Sequence, residues 1–214
     1  MADNVIGSRV DEFVVTELIG DGASGWVYAA THIRNQRRAA LKIMRGELAT
    51  SEVITARFVK EAQTINGIGH PNIVEVLGSG QHQGRPYVVM ELLSGETLEQ
   101  RLERQKRLDV KLALPIFLEC ADALAAAHDR HVVHRDIKPE NIFLAQRPGG
   151  GETTKLLDFG IAKLLDVEAP GVTQRGAIVG TPQYMSPEQC MGADDLDHRS
   201  DIYQLGILLF EMMV

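Results

Sequence analysis

The chain is 214 residues long, 44% hydrophobic and 24% charged, proportions that argue against a disordered or fibrous polypeptide and suit one domain or two lobes of one. Twenty-two basic against 29 acidic residues leave a net charge of −7, which speaks against a nucleic-acid-binding surface, because a phosphate backbone rewards an excess of Lys and Arg. Two cysteines, Cys120 and Cys190, are too few for a disulfide framework or a four-cysteine zinc site and read as reduced thiols.

In chain order, Phe13–Ile19 and Trp26–Ile33 are β-rich runs flanking a glycine cluster, a hairpin pattern. Asn35-Gln36-Arg37-Arg38 turns the chain into a third run, Ala39–Met44, and Val74–Leu77 and Tyr87–Leu92 supply two more, joined through Gly78, Gly80, Gly84 and Pro86. Between them Ile54, Phe58, Ala62 and Ile65 recur at helical spacing and predict one helix between Ser51 and Gly67. After Leu92 the pattern turns helical. Thr97 with Gln100 has the form of a capping box opening Leu98–Arg107. Leu112–His128 is long, Ala-rich and poor in charge, and so predicted to be largely buried. A short hairpin, Ile142–Ala145 and Lys155–Leu157, follows around Gly149-Gly150-Gly151, and Asp201–Val214 reads as a helix apolar nearly all round. The architecture expected is α+β: a small sheet lobe joined through Glu91–Gly95 to a mainly helical lobe.

Three clusters carry chemistry. Gly20-Asp21-Gly22-Ala23-Ser24-Gly25-Trp26-Val27 lies between two strands rather than between strand and helix; it suits either a plain turn or a backbone whose bare amides approach phosphate oxygens. Residues two apart on a strand share a face, so Ala40 and Lys42 point the same way, a small residue beside a cation, as a base followed by phosphates would need. Glu61 falls on the packed side of the helix, where Lys42 is its natural partner; taken alone it also reads as an exposed glutamate. The third cluster is His134-Arg135-Asp136-Ile137-Lys138-Pro139-Glu140-Asn141 with Asp158-Phe159-Gly160. Asn141 precedes the first hairpin strand and Asp158 follows the second, which makes them neighbours across an antiparallel ladder and suits them to a hard ion such as Mg²⁺. Asp136 reaches the same space as a base, with Lys138 beside it. His128, His131 and His134 read more simply as packing and hydrogen-bonding residues than as metal ligands. Arg101, Arg104, Lys106 and Arg107, mixed with Glu99 and Glu103, read as a solvated helix face, and Glu140 is a thin hint of a basic substrate.

These motifs, with His70-Pro71-Asn72-Ile73-Val74, Val89-Met90-Glu91 and Gly180-Thr181-Pro182-Gln183-Tyr184-Met185-Ser186-Pro187-Glu188-Gln189, stand in protein-kinase order and spacing. The chain resembles a eukaryotic-like (Hanks-type) serine/threonine protein kinase of the bacterial type from about Phe13 to its last residue. The resemblance implies a protein-kinase-like bilobal fold: a five-stranded antiparallel N-lobe with one helix over residues 13–92, a hinge at 93–95 and a C-lobe over 96–214 that lacks the last helices. It implies ATP and Mg²⁺ as cofactors and proteins with Ser/Thr acceptors as substrates. Lys42, held by Glu61, would bind the α- and β-phosphates. Asp136 would orient the hydroxyl and accept its proton, Lys138 would steady the γ-phosphate, and Asn141 and Asp158 would bind Mg²⁺. Ile19, Gly20, Gly22 and Gly25 would line the nucleotide; Val27, Ala40 and Phe143 would sandwich the adenine; Met90 would be the gatekeeper, with Glu91 and Leu93 at the base edge. Lys138 and Thr181 favour Ser/Thr over Tyr. Asp201 resembles the helix residue that anchors the His-Arg-Asp backbone.

Arg135 before Asp136 implies an activation segment ordered by phosphorylation, with the phosphate between Arg135 and Lys163 and Thr173 as acceptor. The chain departs from similar kinases in carrying Arg175 and Ala177 where further threonines are common. Glu188 would ordinarily pair with an arginine in the absent part, so a C-terminally truncated, marginally stable chain is expected. With no signal-peptide pattern at Met1-Ala2-Asp3-Asn4, and Gly206–Val214 far short of the roughly 20 residues that cross a bilayer, a cytoplasmic chain is expected, or the cytosolic part of a longer membrane-anchored kinase. The competing reading is an ATP-binding but catalytically inert fragment or pseudokinase-like scaffold.

Overall fold

The computed structural model describes residues 5–22, 24–159, 182–192 and 196–214, with Glu61 described in its backbone only. The chain divides into two compact units, Met1–Gly67 with Glu75–Leu93, and Ile68–Val74 with Ser94–Val214.

In the first unit, strands β1 (Arg9–Val10), β2 (Phe13–Asp21), β3 (Gly25–His32), β4 (Arg38–Met44), β5 (Val76–His82) and β6 (Arg85–Glu91) form one antiparallel sheet in the order β1-β2-β3-β4-β6-β5. The five expected strands are joined by a sixth, β1, whose two residues are too few to show any alternation. Along β4, Ala39, Leu41 and Ile43 join the sheet's apolar cluster with Val10, Val15, Trp26, Tyr28, Ala30 and Val89. Each large side chain buried this way stabilises the fold by about 1.5–3 kcal/mol, so a one-residue slip, which would turn the whole row outward, is strongly disfavoured.

β5 corrects the strand expected at Val74–Leu77. It starts at Val76 and continues to His82, so Gly78 and Gly80 lie in the strand rather than in the connection. Gly80 pairs with Tyr87, and a Cβ there would sit 2.5 Å from the Tyr87 hydroxyl; the glycine makes room for the ring. The turn shrinks to Gln83-Gly84, both at positive φ, the geometry of a two-residue hairpin. The Tyr87 hydroxyl donates to Asp11, and burial together with that carboxylate pushes the phenol upward in pKa. Helix α1 (Glu52–Asn66) starts at Ser51, whose hydroxyl accepts from the Ile54 amide at 3.4 Å. It buries Ile54, Phe58, Ala62 and Ile65, the stripe read from the sequence.

The second unit contains β7 (Gly95–Thr97), α2 (Leu98–Gln105), α3 (Val110–His128), β8 (Ile142–Gln146), β9 (Glu152–Leu156), α4 (Pro187–Cys190) and α5 (His198–Met213). The expected hairpin β8–β9 gains β7 as a third strand. Residues 68–74 belong here because Leu156 donates to the Asn72 carbonyl at 2.8 Å and accepts from the Val74 amide at 3.0 Å. The capping box at the start of α2 is present: Gln100 N donates to Thr97 Oγ1 at 3.2 Å and Thr97 N to Gln100 Oε1 at 2.9 Å. In α3 one face is buried through Ala113, Ile116, Cys120, Ala123, Leu124 and Ala127. Val110, Leu112, Leu114 and Leu118 are exposed, so the expected burial holds for that face only. α5 buries Leu205, Leu208 and Met212 and leaves Ile202 and Phe210 at the surface.

Arg101 departs from the solvated face expected of its basic run. It is buried, and donates to Glu96 of β7 at 2.5 Å and Glu152 of β9 at 2.6 Å. The Arg101 hydrogen bond, with Arg104 nearby, holds the Glu96 carboxyl below its ordinary value. A carboxylate so depressed lends stability that is complete above its unfolded pKa and is lost as pH falls through the folded one. Arg101→Met should therefore cost about 2 kcal/mol at neutral pH, less than a fully buried pair because the carboxylates are partly solvated. In urea unfolding the gap to wild type should narrow as pH drops below the ordinary carboxylate value. A gap independent of pH would leave Arg101 a packing residue only.

Candidate active site

The register of the first sheet sets its residues in rows. Gly20 pairs with Val27, Val27 with Lys42, and Lys42 with Val88. Two rows along, on the same face, Ala29 pairs with Ala40 and Ala40 with Met90. The glycine-rich turn, Val27, Ala40, Lys42 and Met90 thus stand on adjoining positions of one sheet, and Lys42 is buried. Gly22 N donates to the Gly25 carbonyl at 3.0 Å across the turn. Ile19 is exposed at the end of β2, and Leu93 follows β6. The Glu91 carboxylate accepts from the Glu75 amide at 2.8 Å. α1 carries Glu61, but its side chain, and with it the Lys42 pairing, lies outside the described residues.

In the second unit the His134–Asn141 segment is organised by α5. Asp201, fully buried, accepts from the backbone amides of His134 at 2.8 Å and Arg135 at 2.6 Å and contacts His128 Nε2 at 2.8 Å. Arg135 adopts positive φ, a conformation a non-glycine residue keeps only when its surroundings hold it. Its carbonyl accepts from Gln189 at 2.9 Å and Gln204 at 3.2 Å, while Gln204 also accepts from the Ile137 amide at 2.9 Å. His134 is buried against Phe159, takes the Asp136 amide on Nδ1 and therefore donates from Nε2 to the Leu157 carbonyl at 2.8 Å.

This scaffold presents the acidic centre. Asp136 Oδ2 accepts from Asn141 Nδ2 at 2.8 Å and lies 3.3 Å from Lys138 Nζ. Asn141 Nδ2 also donates to the Asp136 carbonyl at 2.8 Å. With the amide nitrogen committed to Asp136, the Asn141 oxygen is the atom offered outward. Leu157 N donates to the Asn141 carbonyl at 2.9 Å, extending the β8–β9 ladder by one pair, and Asp158 comes next at positive φ. An amide oxygen and a carboxylate are the hard-oxygen donor types that Mg²⁺ takes, an ion that keeps several waters and needs few protein ligands. Phe143 lies on β8 opposite Thr97 and Lys155. Glu140, with Glu99, Glu103 and Glu211, lines a cavity of about 300 Å³ that Tyr184 and Leu102 also border. Partial burial, then Glu140 and Glu103, push the Glu99 carboxyl up. Gly160, Lys163, Thr173, Arg175, Ala177 and Thr181 lie outside the described residues.

Sequence reasoning named Asp201 but missed Gln189, Gln204 and His128 as supports. The signal available was Ser200, Asp201 and Gln204, polar residues spaced at i, i+1 and i+4 near the start of a helix whose later half is mostly apolar, all three buried.

A curled antiparallel sheet carrying a glycine-rich turn and a buried lysine, and an Asp–Lys–Asn loop clamped by a buried carboxylate, are the features of a protein-kinase-like fold. The model of the protein kinase domain matches residues 13–214, and the chain belongs to that family. It is 39% identical over 211 residues to the serine/threonine-protein kinase Pkn1 of Myxococcus xanthus, covering 99% of this chain and 30% of that protein. It is 35% identical over 207 residues to PknB of Mycobacterium tuberculosis, covering 95% and 32%. The chain thus spans about a third of the length of these relatives. Among solved structures, a double mutant of the PknI kinase domain of Mycobacterium tuberculosis aligns with a TM-score of 0.79 at 28% identity, covering 100% of this chain and 76% of that one. No helix among the described residues is long and apolar enough to cross a membrane.

Proposed function

We propose that this chain transfers the γ-phosphate of ATP to Ser/Thr hydroxyls of proteins, acting as a kinase domain over residues 13–214 with its N-lobe at 13–92, hinge at 93–95 and C-lobe from 96. The observation that carries the reading is the Asp136 carboxylate, whose Oδ2 is engaged by Asn141 and Lys138 while Oδ1 accepts no hydrogen bond among the described residues. Oδ1 orients the acceptor hydroxyl and takes its proton; Lys138, already beside the carboxylate, meets the incoming phosphoryl charge. Asn141 Oδ1 and the Asp158 carboxylate would hold Mg²⁺, which supplies charge neutralisation on the phosphates when bound. Lys42, supported by Glu61, holds the α- and β-phosphates, and Gly20, Gly22 and Gly25 bring bare amides to them. Val27, Ala40 and Phe143 enclose the adenine, with Ile19 and Met90 at its margin and the Glu91 carbonyl and Leu93 amide at its edge. Thr173 is the proposed site of autophosphorylation, and the kinase reading carries with it a cytoplasmic role in signal transduction. The inert-scaffold alternative is disfavoured because Lys42, Glu61, Asp136, Asn141 and Asp158 are all present.

Intact mass after incubation with ATP and Mg²⁺ tests this. Phosphate should add to the wild-type chain and not to Asp136→Asn, and peptide mapping should find it on Thr173. No addition to either chain, with a folded wild type, would turn the reading toward the inert scaffold; addition at other sites alone would remove Thr173 from it.

A further inference from the structure

Arg45 directly follows β4, and the register of β3 on β4 decides what it meets. Gly25 pairs with Met44, so the next residue emerges beside Ser24, on the returning limb of the glycine-rich turn. Arg45 N donates to the Ser24 carbonyl at 3.2 Å. The approach is close enough that a Cβ on residue 25 would collide with the Ile43 carbonyl oxygen, which requires glycine there. From this base the guanidinium reaches the outgoing limb. Its Nε and Nη2 donate to the Gly22 carbonyl at 3.0 and 2.9 Å, and Nη2 pairs with the Asp21 carboxylate. The guanidinium carbon lies 4.7 Å from the Trp26 ring centroid, which adds a cation–π contact on the same side as the returning limb.

One residue therefore ties both limbs of the turn, the returning limb through its backbone amide and the Trp26 ring and the outgoing limb through its guanidinium. Two physical problems make that useful. A turn with glycines at 20, 22 and 25 has much conformational freedom to lose when it closes on a ligand. Asp21, in that turn, carries the same sign of charge as a triphosphate.

We propose that Arg45 is a positioning residue for nucleotide phosphates: through Gly22 and Asp21 it holds the turn in one shape and offsets the Asp21 charge, so the triphosphate meets ordered amides. The proposal rests on the kinase reading above. Arg45 acts without touching the nucleotide, and its effect is confined to ligands that carry phosphates.

Titration calorimetry with Mg²⁺ and the non-hydrolysable analogue AMP-PNP, and separately with adenosine, distinguishes this from a general structural role. Arg45→Ala should weaken AMP-PNP about five- to tenfold, the size expected from one exposed charge pair, its hydrogen bonds and a cation–π contact together. Adenosine affinity should stay within about twofold of wild type. Arg45→Lys, which keeps the charge but not the forked donor set, should fall between the two. Adding Asp21→Asn to Arg45→Ala should recover part of the AMP-PNP loss, because the uncompensated carboxylate is then gone. Equal weakening of AMP-PNP and adenosine, or no weakening of AMP-PNP, would overturn the proposal. If Arg45→Ala loses its cooperative melt, the same comparison in Arg45→Lys decides the matter. A folded wild type that binds neither ligand would instead remove the nucleotide reading, and the positioning role with it.

Discussion

Asp136→Asn should lower the rate of phosphate transfer about a thousandfold while leaving the melting temperature nearly unchanged, since the substitution removes the base, whose contribution in such reactions is typically about 10²–10⁴-fold. It preserves volume, and an amide oxygen can still accept from Asn141 Nδ2, which in the wild type meets Asp136 Oδ2 at 2.8 Å. The contact with Lys138 at 3.3 Å weakens from ion pair to ion–dipole, a small change at a half-buried site. Single-turnover phosphorylation of a Ser/Thr peptide, alongside a thermal melt, separates the two quantities. A loss below about tenfold would mean that Asp136 does not take the proton.

Asp201→Ala should behave in the opposite way, lowering stability and activity together. The carboxylate is fully buried and serves the His134 and Arg135 amides as well as His128. Alanine leaves the buried His134 amide and the partly buried Arg135 amide unpaired, at about 1–3 kcal/mol each before relaxation, so about 3 kcal/mol is expected in total. For a chain of this size that shifts the melt by roughly 6–12 °C. Arg135 would lose the support that holds its positive φ, and the displaced loop should cost at least about a hundredfold in rate, since small misplacements at a reacting centre carry penalties of that order. A stable variant with normal transfer would show that Gln189 and Gln204 hold the loop unaided.

Where a reading depended on local period, residues and geometry agree. Ala40 and Lys42 share a strand face apart from Ala39, Leu41 and Ile43 because side chains alternate, and α1 buries the four residues whose spacing announced it. By contrast, the β8–β9 hairpin closes one residue away from the expected register, with Asn141 opposite Leu157 and Asp158 one position further on, because register is set by the turn and the packed face rather than by the ends of the apolar runs. Where a residue's role depends on a distant partner and no motif marks it, as one marks Asp201, the sequence was silent. Arg101 looked like one more member of a basic run, because Glu152, which helps bury it, lies 51 positions on. Gln204 carries no motif, and Gln189 closes the motif at 180–189 without a role of its own being read there, since the work of both is done on the Arg135 carbonyl, a backbone atom that every residue has. The exposure of Leu112, Leu114 and Leu118 was equally hidden: composition measures how apolar a helix is, not which side finds a neighbour.

The clamp on the His134–Asp136 segment also has a consequence in time. Its anchor lies 66 to 67 residues further along the chain, and translation proceeds at about 5–20 residues per second. A nascent chain therefore carries the complete Asp136 loop for several seconds before Asp201 is synthesised, and longer before that helix clears the ribosome. During that interval the two amides have water rather than a carboxylate, and Arg135 has no reason to hold its left-handed backbone. The order of the His134–Asp136 segment is therefore expected to come late in synthesis, once the α5 segment that carries Asp201 is available to it.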